Sequence, residues 1–163
     1  MGIKFEEKDM PFVQKAETYC AADEQCRSAV RAKLLVWGAS RTLIDDIIKH
    51  LVDNDFINEQ RYTRQYCDSK LRLQKWGRIK ISYQLRAKQI PKNIIEKSIS
   101  EIDGEVYGKV LFDLAENKWA TLQNETNSLK RKNKLVTFLA SKGFEMDEIL
   151  EAIEPIINPQ PQE

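Results

Sequence analysis

The sequence predicts an all-α protein, a tandem array of three three-helix repeats forming an elongated, curved molecule. Three observations carry that expectation. An apolar pattern recurs: Val30, Leu34, Ala39, Ile44 and Ile48 keep the offsets of Ile81, Leu85, Ile90, Ile95 and Ile99, and of Leu135, Leu139, Phe144, Ile149 and Ile153. All fifteen positions are apolar in a chain that is 42% apolar, and the copies stand 51 and 54 residues apart. Other columns agree: a base stands seven residues before each anchoring leucine (Arg27, Arg78, Lys132), and Gly38, Gln89 and Gly143 occupy one turn position. Between the termini almost every segment has helical period, and no β-branched alternating run marks a strand. Each repeat is too small for a good core of its own, so neighbours are expected to share apolar surface.

The repeats are placed at 9–55, 56–102 and 103–157. Residues 1 to about 8 read as a loose lead-in and 158–163, with Pro159 and Pro161, as a frayed tail. The first repeat predicts helices near 10–22, 24–37 and 41–53. Gly38 ends the second, Ser40 or Thr42 caps the third, and Asp45 and Asp46 suit its positive N-terminal end. The second repeat opens with Asn58 as a cap and Glu59 in the first turn, then a helix to about Leu73 with Tyr62 and Tyr66 on one face. Gly77 breaks it; a helix over about 78–88 follows, and Pro91 opens the next, where its missing N–H costs nothing. The third repeat predicts a helix near 103–118, a join around Ala120–Gln123, a long helix to Lys142, and a last one near 146–156 after Gly143.

Composition narrows the function. The chain of 163 residues carries a net charge of only +1, yet charge is segregated along it. From Ser69 to Ile95 there is no acid and there are eight bases; from Thr126 to Phe144 there is again no acid. Acids gather at Asp45–Asp55, Glu96–Glu105 and Glu145–Glu154. Cys20, Cys26 and Cys67, an odd count without paired spacing, read as reduced thiols of a cytoplasmic protein, buried rather than redox-active. No leader-like apolar run opens the chain and no stretch has the length of a membrane span. The single histidine, His50, lies among Ile47, Ile48 and Leu51, which suits a structural or solvent-facing role. No metal-ligand spacing, phosphate loop or nucleophile–base arrangement occurs, so neither an enzyme nor a metal or other cofactor is expected.

The strongest functional signal is the basic stretch Lys70–Lys92. A helix from Arg78 sets Arg78, Lys80, Arg86 and Lys88 beside an apolar side of Ile79, Ile81 and Leu85. Trp76 and Gly77 precede it, leaving its first N–H groups available to a phosphate or carboxylate. Trp76 offers either a stacking surface for a base or an anchor for the helix joint. So long a run without an acid, echoed in the third repeat, points to a face for a polyanion or an acidic protein rather than to simple solvation of a helix.

At these residues the sequence resembles the RecX family of bacterial regulators. The segment carrying the resemblance is Asn58, Glu59, Tyr62 and Tyr66, then Trp76, Gly77, Arg78, Ile79, Ile81, Leu85 and Ile90. It extends to Leu34 and Gly38 in the first repeat, and to Lys134, Phe138, Leu139, Gly143 and Phe144 in the third, spanning about 13–155. Cys26 and Ala29 stand where the family often has Ser and Glu, and Gln89 where it prefers Gly, which puts the first repeat's surface and the second repeat's turn in question.

The resemblance implies a modulator of the RecA recombinase, one that binds the RecA filament on single-stranded DNA, lies in its groove, and suppresses ATPase and strand exchange. Some family members also bind DNA, so single- or double-stranded DNA is an expected further contact, and the chain itself is expected to be a monomer without membrane contact. The residues expected to bind partner or DNA are Arg31, Arg64, Lys70, Arg72, Lys75, Arg78, Lys80, Arg86, Lys88, Lys130, Arg131 and Lys134. The alternative is a direct DNA-binding module of helix-turn-helix type, in which one helix of each repeat enters a groove.

Overall fold

The computed structural model describes residues 2–162; of the expected lead-in and tail, Met1 and Glu163 lie outside the described residues. The elements, in order, are α1 (Met10–Ala22), α2 (Arg27–Val36), α3 (Arg41–Asp53), α4 (Glu59–Arg72), α5 (Arg78–Ala87), α6 (Lys92–Ser100), α7 (Gly104–Thr121), α8 (Ser128–Ser141) and α9 (Met146–Ile157). A short 3₁₀ turn at Glu7–Asp9 precedes α1, and among the described residues there is no strand. The fold is all-α and repetitive, as the periodicity predicts.

Two boundaries differ from the sequence reading. α2 begins at Arg27 rather than near residue 24, because Asp23 is extended (φ −159°) and its carboxylate accepts the Glu24 N–H at 2.9 Å. Cys26 then takes the N-cap position with extended backbone. α7 runs past residue 118 to Thr121, since the Arg131 guanidinium stacks on Trp119 and donates to its carbonyl at 2.8 Å, holding the last turn.

The caps read from sequence are made. Ser40 Oγ accepts the Leu43 N–H at 3.3 Å and Asn58 Oδ1 accepts the Arg61 N–H at 3.0 Å. Asp103 and Asn127 cap α7 and α8 in the same way.

The repeated columns correspond to one repeated geometry. Fourteen of the fifteen apolar anchors are buried; Ile99 is half-buried. Gly38, Gln89 and Gly143 all have left-handed backbone, at φ 91°, 62° and 91°. In each copy the residue after the turn bonds back five residues: Ala39 to the Leu34 carbonyl, Ile90 to Leu85, and Phe144 to Leu139, at 3.0, 3.2 and 3.4 Å. This is the Schellman closure of a helix C-terminus, with an apolar pair clamping it. Gln89 therefore makes the turn a glycine makes elsewhere, and the question its identity raises is resolved in favour of unchanged geometry.

The chain packs into two compact units, one formed by residues up to Gln65 with Leu85–Ile95, the other by Tyr66–Gln84 with residues from Glu96 onward. α4, α5 and α6 each begin in one unit and end in the other. The first unit is built on Val13, Ala16 and Cys20 of α1, Val30 and Leu34 of α2, and Ile44, Ile47, Ile48 and Leu51 of α3. The second buries Tyr107, Leu111 and Ala115 of α7, Leu135 and Leu139 of α8, and Ile149 and Ile153 of α9.

Each unit contains one junction between successive repeats, and the two junctions share the accepting position but not the donor. In the first, Ser28 Oγ at the start of α2 donates to the Lys88 carbonyl at 2.8 Å. In the second, the Gly77 N–H at the start of α5 donates to the Lys142 carbonyl at 2.8 Å. Lys88 and Lys142 hold the same repeat position. So the turn after the second helix of one repeat docks on the start of the second helix of the repeat before it.

Candidate partner and polyanion interface

The basic stretch Lys70–Lys80 folds around one aromatic side chain. α4 ends at Arg72, and Lys75 adopts left-handed backbone (φ 57°) so that the chain reverses before α5. The Trp76 N–H bonds to the Lys70 carbonyl at 3.1 Å, which fastens the indole at the helix joint. The Lys70 ammonium lies 4.9 Å and the Lys80 ammonium 4.8 Å from the Trp76 ring centroid; Lys70 is also 5.3 Å from the Tyr66 ring. Among the described residues neither lysine has a carboxylate partner. The indole is half-buried, and a cation on its face gains about 1 kcal/mol, far less than ion pairing in a dry site, so both charges remain available to an anion. Ile79 and Tyr83, four apart on α5, are exposed beside Lys80.

The expected anion site at the start of α5 is overturned. Its N–H groups are already used: Gly77 and Ile79 donate to the Lys142 and Gly143 carbonyls, and Arg78 donates to the Tyr107 hydroxyl at 3.1 Å. A Cβ at Gly77 would overlap the Gly143 carbonyl, and one at Gly143 would overlap Lys80. Two backbones cross here at a distance only glycine permits. Sequence alone shows the donors but not the carbonyls that arrive from another repeat.

Arg78 is drawn into the same joint. Its guanidinium meets Glu145 at 2.8 Å and Glu148 at 3.8 Å, and lies 3.8 Å over the Tyr107 ring. The Tyr107 hydroxyl in turn donates to the other Glu145 oxygen. Burial, then the bonded Glu145 carboxylate, push the Tyr107 phenol well above its ordinary range. Arg78 thus ties α5 to α7 and α9 rather than facing solvent.

The other expected contact residues divide by environment. In the first unit Arg31 pairs with Asp45 at 2.8 Å on an exposed face; Arg64 and Arg86 are exposed, and Lys88 is half-buried with its carbonyl in the repeat junction. In the second unit Arg72 pairs with Asp68 at 2.6 Å, and the Lys75 ammonium donates to the Arg72 carbonyl at 2.6 Å. Arg131 is stacked 3.7 Å from the Trp119 ring centroid, Lys134 reaches Glu125 at 2.7 Å, and Lys130 is exposed without a carboxylate partner among the described residues. The Lys134 ammonium and the Asn127 N–H hold the Glu125 carboxyl below its usual range. The structure thus brings Lys70 and Lys80 together on Trp76, and Lys130 and Lys134 together on α8.

Two further lysines join these sets, Lys118 from outside the basic windows and Lys142 from inside the second, though not among the expected contact residues. Lys118 of α7 sits 4.8 Å from the Phe138 ring centroid, and the Lys142 ammonium lies 3.5 Å from the Gln74 carbonyl. Lys118 stands alone among acids in sequence, so only the hairpin of α7 and α8 reveals it. Elsewhere, His50 bonds to Glu17 at 2.8 Å with Phe5 edge-on at 5.4 Å, a structural setting. All three cysteines are unpaired and buried, and burial pushes the Cys20 and Cys67 thiols up to about 11. Among the described residues no helix is long and apolar enough to cross a membrane, and no group of three His, Cys, Asp or Glu side chains is placed to hold a metal.

Residues 58–99 match the second three-helix domain of RecX and residues 107–153 match the third, together more than half of the chain. The chain is 34% identical over 129 residues to the regulatory protein RecX of Clostridium beijerinckii, a match covering 78% of this chain but only 60% of that protein. It is 27% identical over 168 residues to the regulatory protein RecX of Clostridium tetani, covering 96% of this chain and 77% of that one. The crystal structure of RecX from Lactobacillus salivarius has the same fold, with a TM-score of 0.81 at 24% identity over 91% of this chain and 96% of that one. With two RecX domains matched in order, on helices that repeat one turn and one junction, the chain belongs to the RecX family.

Proposed function

We propose that this protein regulates the RecA recombinase in the cytoplasm by binding the RecA filament on single-stranded DNA and lowering its ATPase and strand exchange. Its family membership and the name "regulatory protein" carried by its relatives support the role. The observation that carries the interface is the pair of lysines, Lys70 and Lys80, held on the Trp76 ring without carboxylate partners. Such charges are preorganised for an anionic surface, because the joint that positions them is fixed by internal bonds. Arg78, by contrast, acts through the joint and positions Lys80.

The test is RecA ATPase on single-stranded DNA titrated with this protein: a saturable fall in turnover is expected. Unchanged turnover at a tenfold molar excess over RecA contradicts the proposal. The helix-turn-helix alternative is separated by a mobility shift without RecA. A direct binder gives a steep loss of affinity between 50 and 200 mM salt, on the order of a thousandfold for six or more phosphate contacts.

A further inference from the structure

The third repeat differs from the others at the hairpin of its first two helices. α8 begins seven residues before its anchor Leu135, whereas α2 and α5 begin three residues before Val30 and Ile81. α7 is 18 residues long, against 13 for α1 and 14 for α4. The extension adds about one turn to each helix at the end where they join. It overhangs the open face of α8 and makes a groove of about 540 Å³. Leu122 and Phe138 supply its apolar floor; Lys118, Lys130, Lys134 and Asn133 line it, and no acid does. Along α8 the lining runs from Lys130 to Ser141, roughly 17 Å or three helical turns.

From this geometry we propose that the α7–α8 groove receives an acidic, amphipathic helical segment of a protein partner. The inference rests on the reading that the chain docks on a protein. Charge complementarity names the occupant: the Lys118 and Lys130 ammonium groups, without carboxylate partners among the described residues, border an apolar floor beside the paired Lys134, which matches a helix with leucines on one face and carboxylates beside them. Lys134 already holds one carboxylate, that of Glu125, at 2.7 Å. A nucleic-acid strand fits less well. Its phosphates bring nothing for the apolar floor of Leu122 and Phe138.

The experiment uses the full chain without RecA or DNA. The probe is a fluorescein-labelled fifteen-residue helical peptide with leucines four residues apart, flanked by glutamates; a control peptide has glutamines in their place, and dT15 is a third ligand. The acidic peptide is expected to bind at least tenfold more tightly than the glutamine peptide. K118E with K130E is expected to weaken it tenfold or more, and K118Q with K130Q by a smaller factor, should the reversed charges disturb folding. Equal binding of the two peptides, affinity unchanged in both double variants, or dT15 displacing the peptide from the same lysines would overturn the proposal. Because RecA is absent, a negative result leaves filament inhibition to be judged by its own assay.

Discussion

Gln89 shows how a single residue obeys the repeat against its own preference. A non-glycine side chain in left-handed backbone costs on the order of 1 kcal/mol, and Gln89 accepts that cost at φ 62° because the Schellman closure requires it. Q89G is therefore expected to raise unfolding free energy in urea by about 0.5–1 kcal/mol; a loss would show that the glutamine side chain contributes more than its backbone strain. Gly77 is the opposite case. A methyl there has no space beside the Gly143 carbonyl, so G77A is expected to cost about 1–3 kcal/mol in the same measurement. Gly38, whose Cβ would meet only open space, was visible as a turn residue from sequence for the same reason as Gly143. The tight crossing at Gly77 was not, because the atoms it avoids lie more than sixty residues away.

At the level of helices, boundaries set by local causes are legible in the sequence. Periodicity, caps and turn residues fix α3, α5 and α9 to within a residue or two, since side chains three and four apart define each buried face. Features set by distant residues are not legible there: Arg131 extends α7 by stacking on Trp119, and the start of α5 is closed by another repeat's carbonyls. The same distinction governs the basic residues. Charge counts treat Arg78 and Lys80 alike, yet one is engaged by Glu145 and the other lies on Trp76. Removing the Arg78 guanidinium leaves the Glu145 carboxylate short of a partner in a partly buried place, while the backbone N–H of residue 78 still donates to the Tyr107 hydroxyl. R78M is accordingly expected to destabilise by about 1–3 kcal/mol, and E145Q to reduce much of the added cost in a double-mutant cycle. Additive losses would mean the pair does not couple.

For the molecule as a whole, the buried acids Cys20, Cys67 and Tyr107 make stability sensitive to alkali. The two thiols are pushed up to about 11 from 9, and the phenol is raised above 10. Each is held protonated by the fold and released earlier by the unfolded chain, so the unfolded state binds fewer protons above these ordinary values. Stability is therefore fully present below pH 9 and falls as pH rises toward 11. Urea unfolding across pH 7–11 is expected to show that fall, and Y107F to flatten its part above pH 10 while losing about 1 kcal/mol at neutral pH. A stability constant to pH 11 would contradict the burial described for these groups.

The proposed role depends on an anion-seeking surface held by a rigid joint, and charge reversal tests it most directly. RecA ATPase on single-stranded DNA is measured with the native chain and with K70E combined with K80E, after circular dichroism has verified equal helicity. The account predicts at least a tenfold rise in the concentration needed for half-inhibition. Equal inhibition by a folded K70E and K80E variant would contradict it.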